Sequence, residues 1–312
     1  MVAALKKAKN KSFFLRQLIR NYELILFCVP AVVIIFLFNY IPMYGVQIAF
    51  RNFSPVLGFW HSPWVGLRHF ERFFNSARSI EIIRNTVLIS VYTLIWSFPA
   101  PIILALLLNQ MRFPKYKRIV QTVTYMPYFI SIVVLIGMMN LFLSPTRGMY
   151  GVFMGMLGIM SPRNPISDPG LFRTIHVGSH IWQTTGFISI IYLAGLSGVD
   201  PTFYEAATID GATRFQKLRY IDFPYILPTA IILFILACGN IMNVGFEKTF
   251  LMQNQVNLSV SEVISTYVYK VGLEGGQFSF STAVNLFNTA INVLLLITVN
   301  FVSVKVTKSG LL

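Results

Sequence analysis

Three groups of residues in this 312-residue sequence have types and spacings that could do chemistry. His176 and His180 stand i, i+4 apart, which puts two imidazoles on one helix face within reach of a shared metal ion. No Glu follows His176 and no third ligand is evident nearby, whereas a catalytic zinc takes three protein ligands and a water. Interfacial hydrogen bonding is the better reading, and no metal is expected. Asn240, Asn243 and Glu247 recur at i, i+3 and i+7, and Asn285, Asn288 and Asn292 repeat that spacing. Amides both donate and accept, so they suit a hydroxyl-rich ligand such as a sugar. Trp182 and Phe187 add aromatic faces that could pack on a pyranose ring, and Gln183 adds another amide. The third group runs from Asp200 to Pro228 and contains Glu205-Ala206-Ala207, then Gly211.

That last segment reads as a helical hairpin. Asp200 can cap a helix whose first position is Pro201, where the missing N–H costs nothing. Glu205, Ala206 and Ala207 continue it, and Gly211 permits the positive φ of a sharp turn. Ala212 to Ile221 then reads as a second short helix that Pro224 stops. A Gly-x-x-x-x-Gly-Lys-Ser/Thr phosphate loop occurs nowhere, so a nucleotide site of that kind has to come from elsewhere.

The elements that must position these residues are set by composition. Hydrophobic residues make up 55% of the chain and charged ones only 12%, about half the charged share of an ordinary soluble domain. Apolar runs long enough to cross a hydrocarbon layer recur near Leu24 to Gln47, Ile83 to Leu108, Ile119 to Leu143, Thr174 to Leu196, Tyr225 to Phe246 and Thr282 to Val304. The expected fold class is an all-α integral membrane protein with about six transmembrane helices. A basic segment, 1–23, precedes a membrane domain, 24–304, and a tail, 305–312, follows it. No small-residue cleavage site follows the first apolar run, so that span is expected to stay in the mature protein. Pro30, Pro99 and Pro101 lie within spans and fit a packed bundle whose neighbours satisfy the freed carbonyls. Tyr150 to Met160, with Gly151 and Gly155, is too short to cross and reads as an interfacial helix. Cys28 and Cys238 fall inside apolar runs and imply neither a disulfide nor a metal.

The net charge of +14 does not point to nucleic acid, because the basic residues sit beside apolar spans rather than on one accessible surface. Their distribution sets the topology instead. With the N-terminus inside, 15 of the 25 Lys and Arg fall on the cytoplasmic side, in shorter segments than those that hold the rest. Both termini are therefore expected in the cytoplasm, with the hairpin at 200–228 on the same side.

The hairpin resembles the cytoplasmic loop of binding-protein-dependent ABC importer permeases. In that family Glu-Ala-Ala is followed after three residues by Gly and later by an Ile-x-Leu-Pro close. Glu205, Ala206, Ala207, Gly211, Ile221 and Pro224 match it, with Phe223 where the pattern has Leu. Trp64-Val-Gly-Leu-Arg-His-Phe70, Asn85-Thr86 and Gly245-Phe-Glu247 look like the carbohydrate branch, nearest to permeases for complex oligosaccharides. The first outside segment is only about thirty residues, so the large insertion of the enteric maltose permease is absent.

The resemblance implies a type I importer permease in a bacterial cytoplasmic membrane that is not itself an enzyme. It would pair with a second, related permease, two copies of an ATPase that hold ATP and Mg2+, and an extracellular solute-binding lipoprotein. Coupling to the ATPase would fall to Glu205, Ala206, Ala207, Asp210, Gly211, Arg214 and Phe215. The substrate pathway would involve Trp182, Gln183, Asn240, Asn243, Glu247, Asn285 and Asn288, although any one of these could instead be helix glue. An ion-coupled carrier would carry carboxylates in mid-span and internal repeats, and a membrane metalloenzyme would need a fuller ligand set than His176 and His180. The charge asymmetry makes a direct prediction. A reporter fused at Leu312 is expected to be active only as a cytoplasmic reporter, and activity confined to the outside would overturn the even number of spans.

Overall fold

The computed structural model describes residues 20–159 and 163–307. The basic residues Lys6 to Arg16, Lys308, Leu312 and the Met160 end of the expected interfacial helix lie outside them. The described chain is helical apart from turns and a single bridge, and it divides into two compact units at Gly66.

The first unit is built on α1, Tyr22–Phe50. It passes through a π turn at Phe36–Tyr40 and tightens to a 3-10 helix at Tyr44–Phe50. Described side chains from Tyr22 to Tyr44 are exposed, including Phe27, Val32, Leu37 and Phe38, although nearly all are apolar. An apolar helix that buries none of its flank within its own unit is suited to hydrocarbon as its solvent. Pro30 lies inside α1. Beyond it, α2 (Gly58–His61) is held by Arg51, whose guanidinium donates to the Phe59 carbonyl at 2.9 Å and the Ser62 carbonyl at 3.0 Å.

The second unit contains α3 (Arg68–Phe74), α4 (Ser79–Asn109), α5 (Pro114–Phe129), α6 (Ile132–Phe142), α7 (Met149–Met156), α8 (Pro169–Leu196) and α9 (Pro201–Ile209). These are followed by α10 (Arg214–Gly239), α11 (Phe246–Met252), α12 (Leu258–Ser261), α13 (Ile264–Tyr269) and α14 (Phe278–Thr307). Helices α1, α4, α10 and α14 are each long and apolar enough to cross a membrane, and the bent pairs α5–α6 and α8–α9 bring the number to as many as six. Around α8, the packing partners are α4, α5, α10 and α12, while α10 lies along α14.

Three apolar clusters hold the unit together. One joins Ile102, Ala105 and Leu106 of α4 to Tyr192 and Leu196 of α8 and to Ile226 and Ala230 of α10. Another gathers Phe73, Ile82, Ile264, Phe280 and Val284. The last gathers Ile89, Ile136, Phe172, Met252 and Val263. Asn85 and Thr86 are fully buried and tie α4 to the later chain. Asn85 Nδ2 donates to the Ser259 carbonyl at 2.9 Å, and Thr86 Oγ1 accepts from the Ile264 N–H at 3.0 Å.

Four sequence expectations are corrected. The span expected from Ile119 to Leu143 is not straight: α5 and α6 meet at 100°, with Pro127 in the last turn of α5 and Ser131 capping α6. The span expected from Tyr225 to Phe246 ends at Gly239, and Gly245, at φ +76°, starts the separate helix α11. Asn240, Asn243 and Glu247 therefore do not form one helical stripe: the first two lie in the turn and Glu247 lies on α11. Pro224 does not stop the second hairpin helix. A π turn at Leu218–Asp222 precedes it, and the helix runs on through Pro224 to Gly239. Of the Gly151 and Gly155 pair, only Gly151 makes a close approach, and it is to the Pro145 carbonyl, which lies in the preceding turn.

The tightest helix crossing is at Gly186 of α8, where an added Cβ would stand 1.9 Å from the Thr124 carbonyl oxygen of α5. Gly186→Val is expected to force α5 off α8 and cost about 2 kcal/mol or more of stability. Gly178→Ala on the same helix, which has open space, is expected to be neutral or stabilising by up to about 1 kcal/mol. Thermal unfolding in detergent checks both. Equal melting of the two variants would show that the contact at Gly186 is unimportant.

Candidate functional site

The hairpin that follows α8 turns away from it by 79°. Asp200 caps α9 by accepting from the Thr202 N–H at 2.9 Å, and that bond holds its carboxyl below the usual range. Gly211 adopts φ +73° at the turn. Thr213 and Gln216 then form a capping box, and Lys217 Nζ donates to Thr208 Oγ1 at 2.6 Å across the hairpin. With its backbone closed in this way, the tip displays apolar groups: Ile209 is 87% exposed, and Phe203, Phe215 and Tyr220 are also largely exposed. Glu205, Ala206, Asp210 and Arg214 are exposed on the same hairpin, and Ala207 is half-buried.

Beneath the tip lies a polar anchor. Asp222 is fully buried and accepts from Tyr204 Oη at 2.5 Å, Gln110 Nε2 at 2.6 Å and Asn109 Nδ2 at 3.2 Å. Burial, followed by the bond to Asp222, pushes the Tyr204 hydroxyl up to about 12, so it remains a donor at neutral pH. Three segments meet on one carboxyl: the end of α4, α9, and the π turn that leads into α10.

Further along α8 and α10 is a cavity of about 740 Å3 between α4, α8 and the turn after α10. Gln183, Asn240 and Asn243 line it, with Thr93, Ser97 and Tyr128 among the other polar groups. Tyr128 stacks on Phe187 with ring centroids 3.9 Å apart and planes 5° apart. Gln183 also donates to the Ile130 carbonyl at 2.9 Å, which holds the bend between α5 and α6. Trp182 faces a different hollow with Met138 and Phe142, Asn285 lines another with Phe246 and Tyr269, and Glu247 is exposed. The asparagines of α14 reach the broken end of α10. Asn288 Nδ2 donates to Asn243 Oδ1 at 3.2 Å, Asn292 Oδ1 accepts from the Met242 N–H at 3.0 Å, and Asn243 is bonded in turn to Asn240. His176 and His180 both border the cavity, and His176 Nε2 is paired with Thr249 Oγ1 at 3.2 Å.

A family model for the binding-protein-dependent transport system inner membrane component matches residues 97–308, a stretch that contains the hairpin and most of the cavity lining. The chain belongs to that family. Protein LplB of Bacillus subtilis is 40% identical over 94% of this chain and 92% of its own length. The polygalacturonan/rhamnogalacturonan transport system permease protein YteP of the same organism is 37% identical over 98% of this chain and 95% of its own. Among solved structures, a bacterial ABC transporter involved in the import of the acidic polysaccharide alginate superposes with a TM-score of 0.86 at 35% identity, covering 94% of this chain and 99% of the matched one. The alginate transporter in complex with an alginate pentasaccharide-bound periplasmic protein matches equally well, covering 95% and 99%.

Sequence reasoning about this permease missed the Asp222 anchor. Its four members lie in three separate segments, and only the fold brings them together. The capping box was missed as well, although the Thr213-x-x-Gln216 spacing is its sequence signal. Lys248, one of the ten Lys and Arg that the charge count leaves outside, is buried beside the cavity. Asp222→Ala is expected to leave three donors without their acceptor and to destabilise the permease by on the order of 3 kcal/mol, with Tyr204→Phe costing about 1 kcal/mol. Unfolding in detergent reads this directly. A melting point unchanged by Asp222→Ala would remove the anchor.

Proposed function

We propose that this permease forms one half of the membrane channel of an ATP-driven importer that carries an oligosaccharide delivered by an extracellular solute-binding protein. The observation that carries this reading is the hairpin: a rigidly closed, capped turn with an exposed apolar tip and a buried polar anchor, in a member of a family of binding-protein-dependent transport components. Exposed apolar side chains on an otherwise well-satisfied loop suit a groove on a partner protein. That partner is an ATPase dimer, which holds the ATP and Mg2+, since the sequence has no phosphate loop of its own. A second, related permease completes the channel. The relatives named above support a saccharide substrate, and the basic-residue asymmetry supports a cytoplasmic-membrane protein with both termini inside.

In this reading Glu205, Ala206, Ala207, Asp210, Gly211, Arg214 and Phe215 present the docking surface. Substrate passes the cavity lined by Gln183, Asn240 and Asn243, with Asn288 holding Asn243 from behind and with Trp182, Glu247 and Asn285 on neighbouring surfaces. Binding and hydrolysis of ATP move the hairpin, and the channel alternates between facing the binding protein and facing the cytoplasm. Such coupling requires the partner to contact the two states differently.

The test changes the docking surface alone. Gly211→Val forces a β-branched residue into a left-handed conformation, and Glu205→Lys reverses an exposed charge. Both variants are expected to insert and fold, while uptake and binding-protein-stimulated ATP hydrolysis by the assembled transporter fall at least tenfold. Wild-type uptake in both would defeat the docking assignment.

A further inference from the structure

The segment between the end of α4 and the first turns of α5 carries a run of cations, Arg112, Lys115, Lys117 and Arg118. Arg112, Lys115 and Arg118 are exposed, and Lys117 is half-buried. Nothing nearby in the sequence neutralises them, because no Asp or Glu occurs between Glu81 and Asp168. The ion pairs among the described residues join Glu262 to Arg78 and to Lys270, and they involve none of these cations. The fold fixes where this charge stands. Asn109 and Gln110 both bond to Asp222, so the segment that follows them leaves the bundle at the same end as the hairpin.

Apolar groups share the same turns. Phe113 and Tyr116 stand edge to face with ring centroids 5.9 Å apart, yet both are largely exposed. Tyr116, Ile119, Val123 and Met126 follow at helical spacing and are exposed as well, so one uncovered apolar flank runs from the cationic turn along α5. A different flank packs on α8, where Gly186 meets the Thr124 carbonyl. A groove on a water-soluble partner would end at the membrane surface, whereas this flank continues along a span, where hydrocarbon is the solvent. Aromatic rings with cations beside them suit the level at which a helix passes through the headgroup layer.

We infer that the start of α5 holds an anionic phospholipid on the hairpin's side of the membrane, with its phosphate headgroup on Arg112, Lys115 and Arg118 and an acyl chain along Tyr116, Ile119, Val123 and Met126. The chemistry is charge-assisted hydrogen bonding to phosphate oxygens together with contact between hydrocarbon groups, and no bond is made or broken. Each cation near an anionic leaflet adds to the attraction, and the sum falls as salt rises. The inference uses the membrane-spanning fold and the Asp222 anchor, and it is independent of which solute is carried.

The full-length permease, alone and assembled with its partners, would be released by native mass spectrometry from micelles containing equal amounts of phosphatidylglycerol and phosphatidylcholine. Wild-type protein is expected to retain phosphatidylglycerol at least tenfold over phosphatidylcholine. The combined Arg112→Gln, Lys115→Gln and Arg118→Gln variant is expected to lose that preference, and the charge-preserving Arg112→Lys, Lys115→Arg and Arg118→Lys variant to keep most of it. An unchanged preference in the neutral variant, or none in the wild type, would overturn the inference. Excess inorganic phosphate is expected to leave the lipid in place, and displacement by it would assign the cations to a soluble anion instead. Loss of a partner subunit from the neutral variant, with its lipid preference intact, would make this a protein-docking surface and would equally overturn the lipid assignment. If the neutral variant does not accumulate, Lys115→Gln alone and a salt titration of the wild type decide, because a preference that persists undiminished at about 1 M salt would exclude a charge-held headgroup.

Discussion

A backbone amide or carbonyl freed inside a hydrocarbon layer has no water to turn to, so each break in a membrane helix needs a partner supplied by a neighbour. The rest of this permease is arranged around that requirement. At the bend between α5 and α6, the Ile130 carbonyl is met by Gln183 of α8. At the unwound end of α10, the Met242 N–H is met by Asn292 of α14, with Asn288 bracing Asn243 one turn away. At the start of α13, the Ile264 N–H is met by Thr86 of α4. Each such bond is formed by a polar side chain on an otherwise apolar helix, as by Asn288 and Asn292 on successive turns of α14. Within lipid these groups cannot face outward, so they also fix which flank of each helix faces its neighbours.

The same rule accounts for the cavity. A continuous helix closes all of its own backbone bonds, so its polar surface comes from side chains alone, as from Thr93 and Ser97 of α4 and Gln183 of α8 here. Breaking α10 after Gly239 exposes Asn240 and Asn243 to the cavity, and breaking the third span at Ile130 brings Tyr128 and Ser131 to its wall. Gln183 takes part in both features: it supports one break and lines the cavity.

How much of this could be read from the sequence follows from how local each feature is. The hairpin was legible almost residue by residue, because Asp200, Pro201 and Gly211 act on backbone within two or three positions of themselves. The apolar runs were legible too, four of them as single long helices and two more only as bent pairs. Helix ends inside the membrane were not. Gly239-Asn240 is a stop signal in type, but Ile241, Met242 and Val244 continue the apolar run past it, and the Met242 N–H freed by the stop is met by Asn292, about fifty positions away. The π turn before Pro224 was hidden similarly, since a proline usually marks a helix end and only the anchored Asp222 shows why it does not here. The Asn240, Asn243 and Glu247 spacing shows the opposite hazard: the periodicity is real in the sequence, but no single helix carries it.

The anchor and the cavity also bear on how force could travel between them. Helix α10 runs without a gap from Arg214 in the hairpin to Gly239 beside the cavity, a length of about 39 Å at the helical rise. Helix α8 starts beyond the cavity and ends at the hairpin, and the two are packed together through Tyr192, Leu196, Ile226 and Ala230. A hairpin attached only by its ends could swing without moving either helix. Asp222 prevents that, because its three bonds join α9, the foot of α10 and the end of α4 into one body. In the mechanism proposed above, displacement at the tip is carried to α10 through this anchor and to α8 through its packing on α10. At their far ends the packed clusters give way to the unwound turn at Asn240 to Gly245, where short turn bonds and the Asn292 bond to the Met242 N–H replace the helical ladder. In that proposed mechanism the packed helices carry the motion and the turn absorbs it, so the change of shape falls at the cavity wall rather than along the helices.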